Sequence, residues 1–98
     1  MAKVKGTTAS GFKFSVDAEV FKDWRFLKAV RRANGNGEDS FEGGLDMVAL
    51  LFNDPKEEER FYEYLAQKHG GRVPVEVVGK EVGEIMSVVR EKSKEAKN

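Results

Sequence analysis

The chain has 98 residues, 40% of them hydrophobic and 35% charged, a size and composition that predict one compact globular domain rather than two domains or a disordered chain. Seventeen basic residues balance seventeen acidic ones, and the balance holds in each half of the chain, so no net field gathers nucleic acid or anionic membrane. With no cysteine, disulfides, thiolate metal sites and cysteine nucleophiles are excluded together, and no segment approaches the apolar length of a membrane span.

In chain order, the first predicted element is a β-hairpin or single strand within residues 3 to 16. Phe12, Phe14 and Val16 alternate with Lys13 and Ser15 after a turn-like Ala9-Ser10-Gly11, and Val4 falls on the candidate partner strand. A two-stranded ribbon is marginal alone, so its apolar face must rest on helices. Asp17 reads as the N-cap of a helix from Ala18 to Ala33. With Val20 as origin and 100° per residue, Trp24 and Leu27 fall within about 40° of it, and Val30, Phe26 and Phe21 widen the apolar arc beyond half the circumference. Asn34-Gly35-Asn36-Gly37 ends this helix, because Asn and Gly accept left-handed backbone.

A second helix is predicted between Ser40 and Asn53, where Phe41, Leu45, Val48 and Phe52 recur at helical spacing. Gly43 and Gly44 weaken its start by roughly 1 kcal/mol each, so its stable part is expected from Leu45. Met47, Leu50 and Leu51 occupy its other sides. An almost all-round apolar helix of this kind is central in the monomer or covered by a partner.

The third helix has the clearest start: Asp54 as N-cap, Pro55 at the first position, Glu57 at the third, with Glu58 and Glu59 at the positive end of the dipole. It runs to about His69 with Phe61, Tyr62 and Leu65 as its stripe, and Gly70-Gly71 stops it. Pro74 opens a fourth helix in which Val78, Val82, Ile85 and Val89 form the stripe. The lysine-rich end from Arg90 to Asn98 is expected to fray into solvent. The fold class is thus mainly α, about four helices with a short N-terminal β-hairpin or strand. It is a single domain over 1–98, with 1–10 and 91–98 as flexible ends, and its core holds Trp24, Leu27, Phe52, Phe61, Leu65, Val82 and Ile85.

No constellation of residues carries a reaction. His69 stands alone at a helix C-terminus, and no serine sits in a nucleophile elbow. Glu57, Glu58, Glu59 and Glu63 are interleaved with Lys56 and Arg60 and read as a solvated helix start. The glycine pairs match neither the phosphate-binding loop nor the dinucleotide fingerprint. The reading is therefore not an enzyme, with no metal and no cofactor. Lys22, Arg25, Lys28 and Arg32 share about 120° of the helix 18–33, and such a basic face can track a phosphate backbone. Against it, Glu19 and Asp23 lie on the same helix, and cations near its C-terminus complement the dipole.

Three segments, taken in order, carry a resemblance. Gly11-Phe12-Lys13-Phe14-Ser15-Val16-Asp17, then Asp23-Trp24-Arg25-Phe26-Leu27, then Gly70-Gly71-Arg72-Val73-Pro74-Val75-Glu76 with Glu81 and Glu84-Ile85 resemble the small tail assembly chaperones of long-tailed phages and prophages of Gram-positive bacteria. The resemblance covers about residues 10 to 88, and the stretch from Asn34 to Gly44 departs from it as a longer loop. It implies a non-enzymatic helper in the host cytoplasm that keeps the long, apolar tape-measure protein soluble. Such a helper gives that client up as tail-tube subunits polymerise and is absent from the mature virion. Trp24, Phe52 and the adaptable Met47 and Met86 suit such a client, and Met47, Leu51, Met86 and Val89 are the expected contacts. Self-association is expected through the second helix, together with the fourth. The alternatives are a small nucleic-acid-binding regulator using the basic face of helix 18–33, and a structural accessory subunit of a larger complex.

Overall fold

The computed structural model describes the backbone of residues 3–96 and the side chains as far as Ser93. The chain opens with strand β1 (Lys3–Thr7), which pairs antiparallel with β2 (Lys13–Asp17) in the register Val4↔Val16 and Gly6↔Phe14. Alternation works as predicted. Phe14 and Val16 are buried with Val4 on one face, and the Phe14 ring lies over Gly6, where an added Cβ would stand 2.7 Å from its Cζ.

Helical structure begins where Asp17 accepts a hydrogen bond from the Glu19 amide at 2.9 Å, but it does not run unbroken to Ala33. Residues Ala18–Lys22 form a 3-10 turn, Asp23 is extended, and α1 covers Trp24–Ala33. The cause is Asp23, whose carboxylate accepts from the Arg25 amide at 2.9 Å and so caps a new helix instead of continuing the old one. The restart changes the helical phase. Phe26 and Ala29 now face inward, while Trp24 and Leu27, expected in the core, are 73% and 44% exposed.

Gly37, with φ +71°, turns the chain into α2 (Glu38–Phe52), which therefore begins seven residues before Leu45. Glu38 to Gly44 is helix, not the longer loop expected. Gly43 is the reason this stretch is held. A Cβ on it would lie 2.4 Å from the Ala33 nitrogen and 2.6 Å from the Arg32 Cβ, so the two helices touch almost backbone to backbone. Around α2, Val48, Leu51 and Phe52 are buried and Met47 and Leu50 half-buried, so the core of the chain itself covers these sides of the helix expected to be central or covered by a partner, while Phe41 and Leu45 stay exposed.

After Asn53 in the left-handed conformation, Asp54 caps α3 (Pro55–Lys68) by accepting from the Lys56 amide at 3.0 Å, and His69, exposed, ends it. The fourth helix, α4 (Val75–Ala96), buries Val82, Ile85 and Val89. Both ends expected to be flexible contribute to elements. Residues 3–7 are strand, and α4 continues past Arg90 to Ala96, with Lys92 Nζ donating to the Lys5 carbonyl at 2.9 Å; residues 1–2 and 97–98 of those ends lie outside the described residues. The result is a compact single domain of four helices with an N-terminal two-stranded hairpin, its centre made by Phe12, Phe26, Leu51, Phe61, Leu65 and Ile85.

Tyr62 offers a test of α3 in alkaline solution. It is half-buried and donates from its hydroxyl to Glu58 at 3.0 Å, and burial first, then the Glu58 carboxylate, pushes its pKa up to about 12. The unfolded chain loses this proton near pH 10, so stability contributed here is intact below that pH and declines as pH rises from about 10 to 12. Urea unfolding across that window should show a steeper decline for the wild type than for Tyr62→Phe. Equal slopes would contradict the assignment.

Candidate protein-binding surface

Among the described residues, the hairpin of α1 and α2 carries four of the five large apolar side chains that face solvent. The two helices run antiparallel, Ala33 beside Gly43 at one end and Arg25 across from Ala49 and Leu50 at the other. Small residues let them approach. Between them lies an open groove of about 400 Å³ whose apolar lining is Ala29, Ala49 and Leu50 and whose charged lining is Arg25, Lys28 and the ion-paired Arg32 and Asp46.

Charge is sorted between the two helices. Arg25, Lys28, Arg31 and Arg32 are the ionisable residues of α1, and Glu38, Asp39, Glu42 and Asp46 are those of α2. Arg32 lies at the seam. Its guanidinium meets Asp39 at 3.0 Å, Asp46 at 3.2 Å and Glu42 at 3.4 Å, and the hydrogen bond to Asp39, foremost among these, holds its pKa above the ordinary arginine value. Arg25 pairs with Asp23 at 2.9 Å, which lowers the Asp23 pKa, chiefly through this side-chain hydrogen bond. Asp23 and Arg32 are half-exposed and their partners exposed, so the pairs orient side chains more than they stabilise the fold.

This pairing bears on the basic face proposed for nucleic acid. Lys22 is joined to Glu19 at 3.6 Å, Arg25 to Asp23, and Arg32 to three acids, leaving Lys28 as the one cation of that set without an ion pair among the described residues. Four cations were expected along one helix. They are divided by the break at Asp23, and three are neutralised locally.

Of the four expected client contacts, two are corrected. Leu51 is 1% exposed and Val89 is fully buried, because both point into the shared core of α2, α3 and α4, and neither offers surface to another protein in this fold. Met47 and Met86 are half-buried at the edge of that core. Phe52, expected in the core and also offered as suiting a client, is buried and serves the core. The large apolar side chains that do face solvent are Trp24, Leu27, Phe41, Leu45 and Val75, the first four all on the α1–α2 hairpin. Sequence reasoning missed the groove itself. Its alanines carry no signal alone, although Gly43, read as a weak point, was the mark of a close helix crossing.

Away from this groove, the tip of the β1–β2 hairpin is fastened to α3 and α4. The hairpin tip is held where the Ala9 amide donates to Glu84 at 2.6 Å, the Ser10 hydroxyl to Glu81 at 3.0 Å, and the Tyr64 hydroxyl to the Ser10 carbonyl. Gly11, at φ +102°, closes the turn. Glu81 is buried here, so this cluster fastens the sheet to α3 and α4 and presents no open site. Among the described residues no group of three or more His, Asp or Glu stands where it could hold a metal ion, and no helix is long and apolar enough to cross a membrane. No family model, curated protein or solved structure matches the chain.

Proposed function

We propose that this chain is a protein-binding assembly factor, a phage tail assembly chaperone that keeps the tape-measure protein soluble by taking its apolar helical stretches into the α1–α2 groove. The observation that carries the reading is that groove. It combines an apolar lining of Ala29, Ala49 and Leu50 with a charged lining of Arg25 and Lys28 beside the ion pair of Arg32 and Asp46, and it is open to solvent, which suits side chains of another helix better than an enclosed small molecule. A client helix would seat residues at i, i+3, i+4 and i+7 along it and set acidic neighbours against Arg25 and Lys28. The ordered resemblance of residues 10 to 88 supplies the client and implies tail-tube subunits as its successor.

Ala49→Glu tests the groove. Ala49 is exposed, so the variant should fold and melt like the wild type, while a carboxylate over the apolar lining should weaken client binding about tenfold or more. Binding of the wild type should fall little with added salt, since it rests on apolar area. Unchanged affinity in Ala49→Glu, or affinity that collapses with salt, would overturn the groove reading.

A further inference from the structure

We infer that the chain assembles head to tail with further copies of itself, the outer stripe of α1 on one copy seating on the outer stripe of α2 on the next. The stripes match residue by residue. On α1 the exposed Trp24, Leu27 and Arg31 stand at i, i+3 and i+7; on α2 the exposed Glu38, Phe41 and Leu45 stand at the same spacing. Each set spans about 60° of its helix.

Run the two stripes antiparallel and set Trp24 opposite Leu45. Each step forward on α1 is then a step back on α2, so Leu27 arrives within one residue of Phe41 and Arg31 arrives opposite Glu38. Apolar meets apolar and cation meets anion. Run them parallel and the match is lost, with Trp24 on Glu38 and Arg31 on Leu45. Neither Arg31 nor Glu38 has an ion pair among the described residues, while the inward charges of the same helices are joined through Arg32. Trp24 at 73%, Phe41 at 62% and Leu45 at 65% exposure are also apolar surface that a small monomer otherwise leaves in water.

The positions of the stripes decide the kind of assembly. Within a copy, α1 turns Ala29, Arg32 and Ala33 toward α2, and its outer stripe lies about 160° round from them. The outer stripe of α2 is likewise about 140° from Gly43, Asp46 and Leu50. The two stripes therefore occupy opposite edges of the hairpin and cannot both serve one symmetric dimer. Each copy bound at one edge leaves the other free, which gives a ring or an open row.

Sedimentation velocity over a concentration series, with the whole chain, tests this. The wild type should shift from an 11 kDa species to larger ones as concentration rises. Leu27→Asp removes the α1 edge and Leu45→Asp the α2 edge, and both positions are exposed, so each variant should fold, as helical circular dichroism will verify, and remain monomeric alone. Mixed together, they retain one live edge of each kind and should form a dimer of one copy of each and nothing larger. Arg31→Glu or Glu38→Arg alone should weaken assembly roughly fivefold, and the two in one chain should restore it. The inference is overturned by a wild type that stays at 11 kDa throughout, by a single Asp variant that still assembles, by a mixture that stays monomeric, or by a double charge swap that restores nothing. None of these readouts involves the client, so failure here leaves the chaperone reading standing, and failure of client binding leaves this one.

Discussion

Phe61→Ala should destabilise the fold by about 3–5 kcal/mol, the range for removing a large aromatic from a packed interior. Phe61 is fully buried on α3, with the Phe12 ring 5.1 Å away from the hairpin side and the Phe52 ring 5.2 Å away at the end of α2. It joins the sheet, the helical hairpin and α3 at one point. None of these three elements can collapse into the space without pulling away from another, so the cavity persists and adds to the lost transfer energy. Urea denaturation should show the midpoint falling with an unchanged slope. A loss below about 1 kcal/mol would mean that the aromatic centre is packed differently.

The two adjacent glycines of α2 should respond in opposite directions to the same substitution. At Gly44 nothing lies within 4 Å of an added Cβ, so Gly44→Ala should raise stability by about 0.5–1 kcal/mol through helix propensity alone. At Gly43 the Cβ meets the Ala33 nitrogen at 2.4 Å, and backbone cannot rotate aside as a side chain can. Gly43→Ala should therefore cost about 1–3 kcal/mol despite the same propensity gain, because α1 must move off α2. Thermal unfolding of both variants checks this. Two alanines of equal effect would contradict the close crossing that shapes the groove.

The sequence made some elements readable and concealed others for identifiable reasons. Asp54-Pro55 with Glu57 fixed the start of α3 because the cap, the proline and the dipole all favour one boundary, and Gly70-Gly71 fixed its end. The hairpin was legible from alternation at Phe12, Phe14 and Val16. Trp24 and Leu27 were misplaced because Asp23 can either sit inside a helix or cap the next one, and the choice depends on a local hydrogen bond that periodicity does not see. The extent of α2 was understated for a related reason. A glycine's propensity cost is visible in the chain, whereas the neighbour that makes the glycine necessary, here the Ala33 backbone, comes from ten residues earlier. Leu51 and Val89 show the same limit. Apolar spacing marks a face to be covered without saying whether the chain itself covers it, and both are covered from within.

Solubility of the client is the most direct measure of the central claim. The tape-measure protein, encoded by the long reading frame expected beside this gene, is to be expressed with and without this chain, and the soluble fraction passed through gel filtration. Binding through the α1–α2 groove predicts that the client is soluble only in company, that the two elute together, and that Ala49→Glu loses both effects while remaining folded. A client equally soluble alone, with no complex surviving gel filtration, would contradict it.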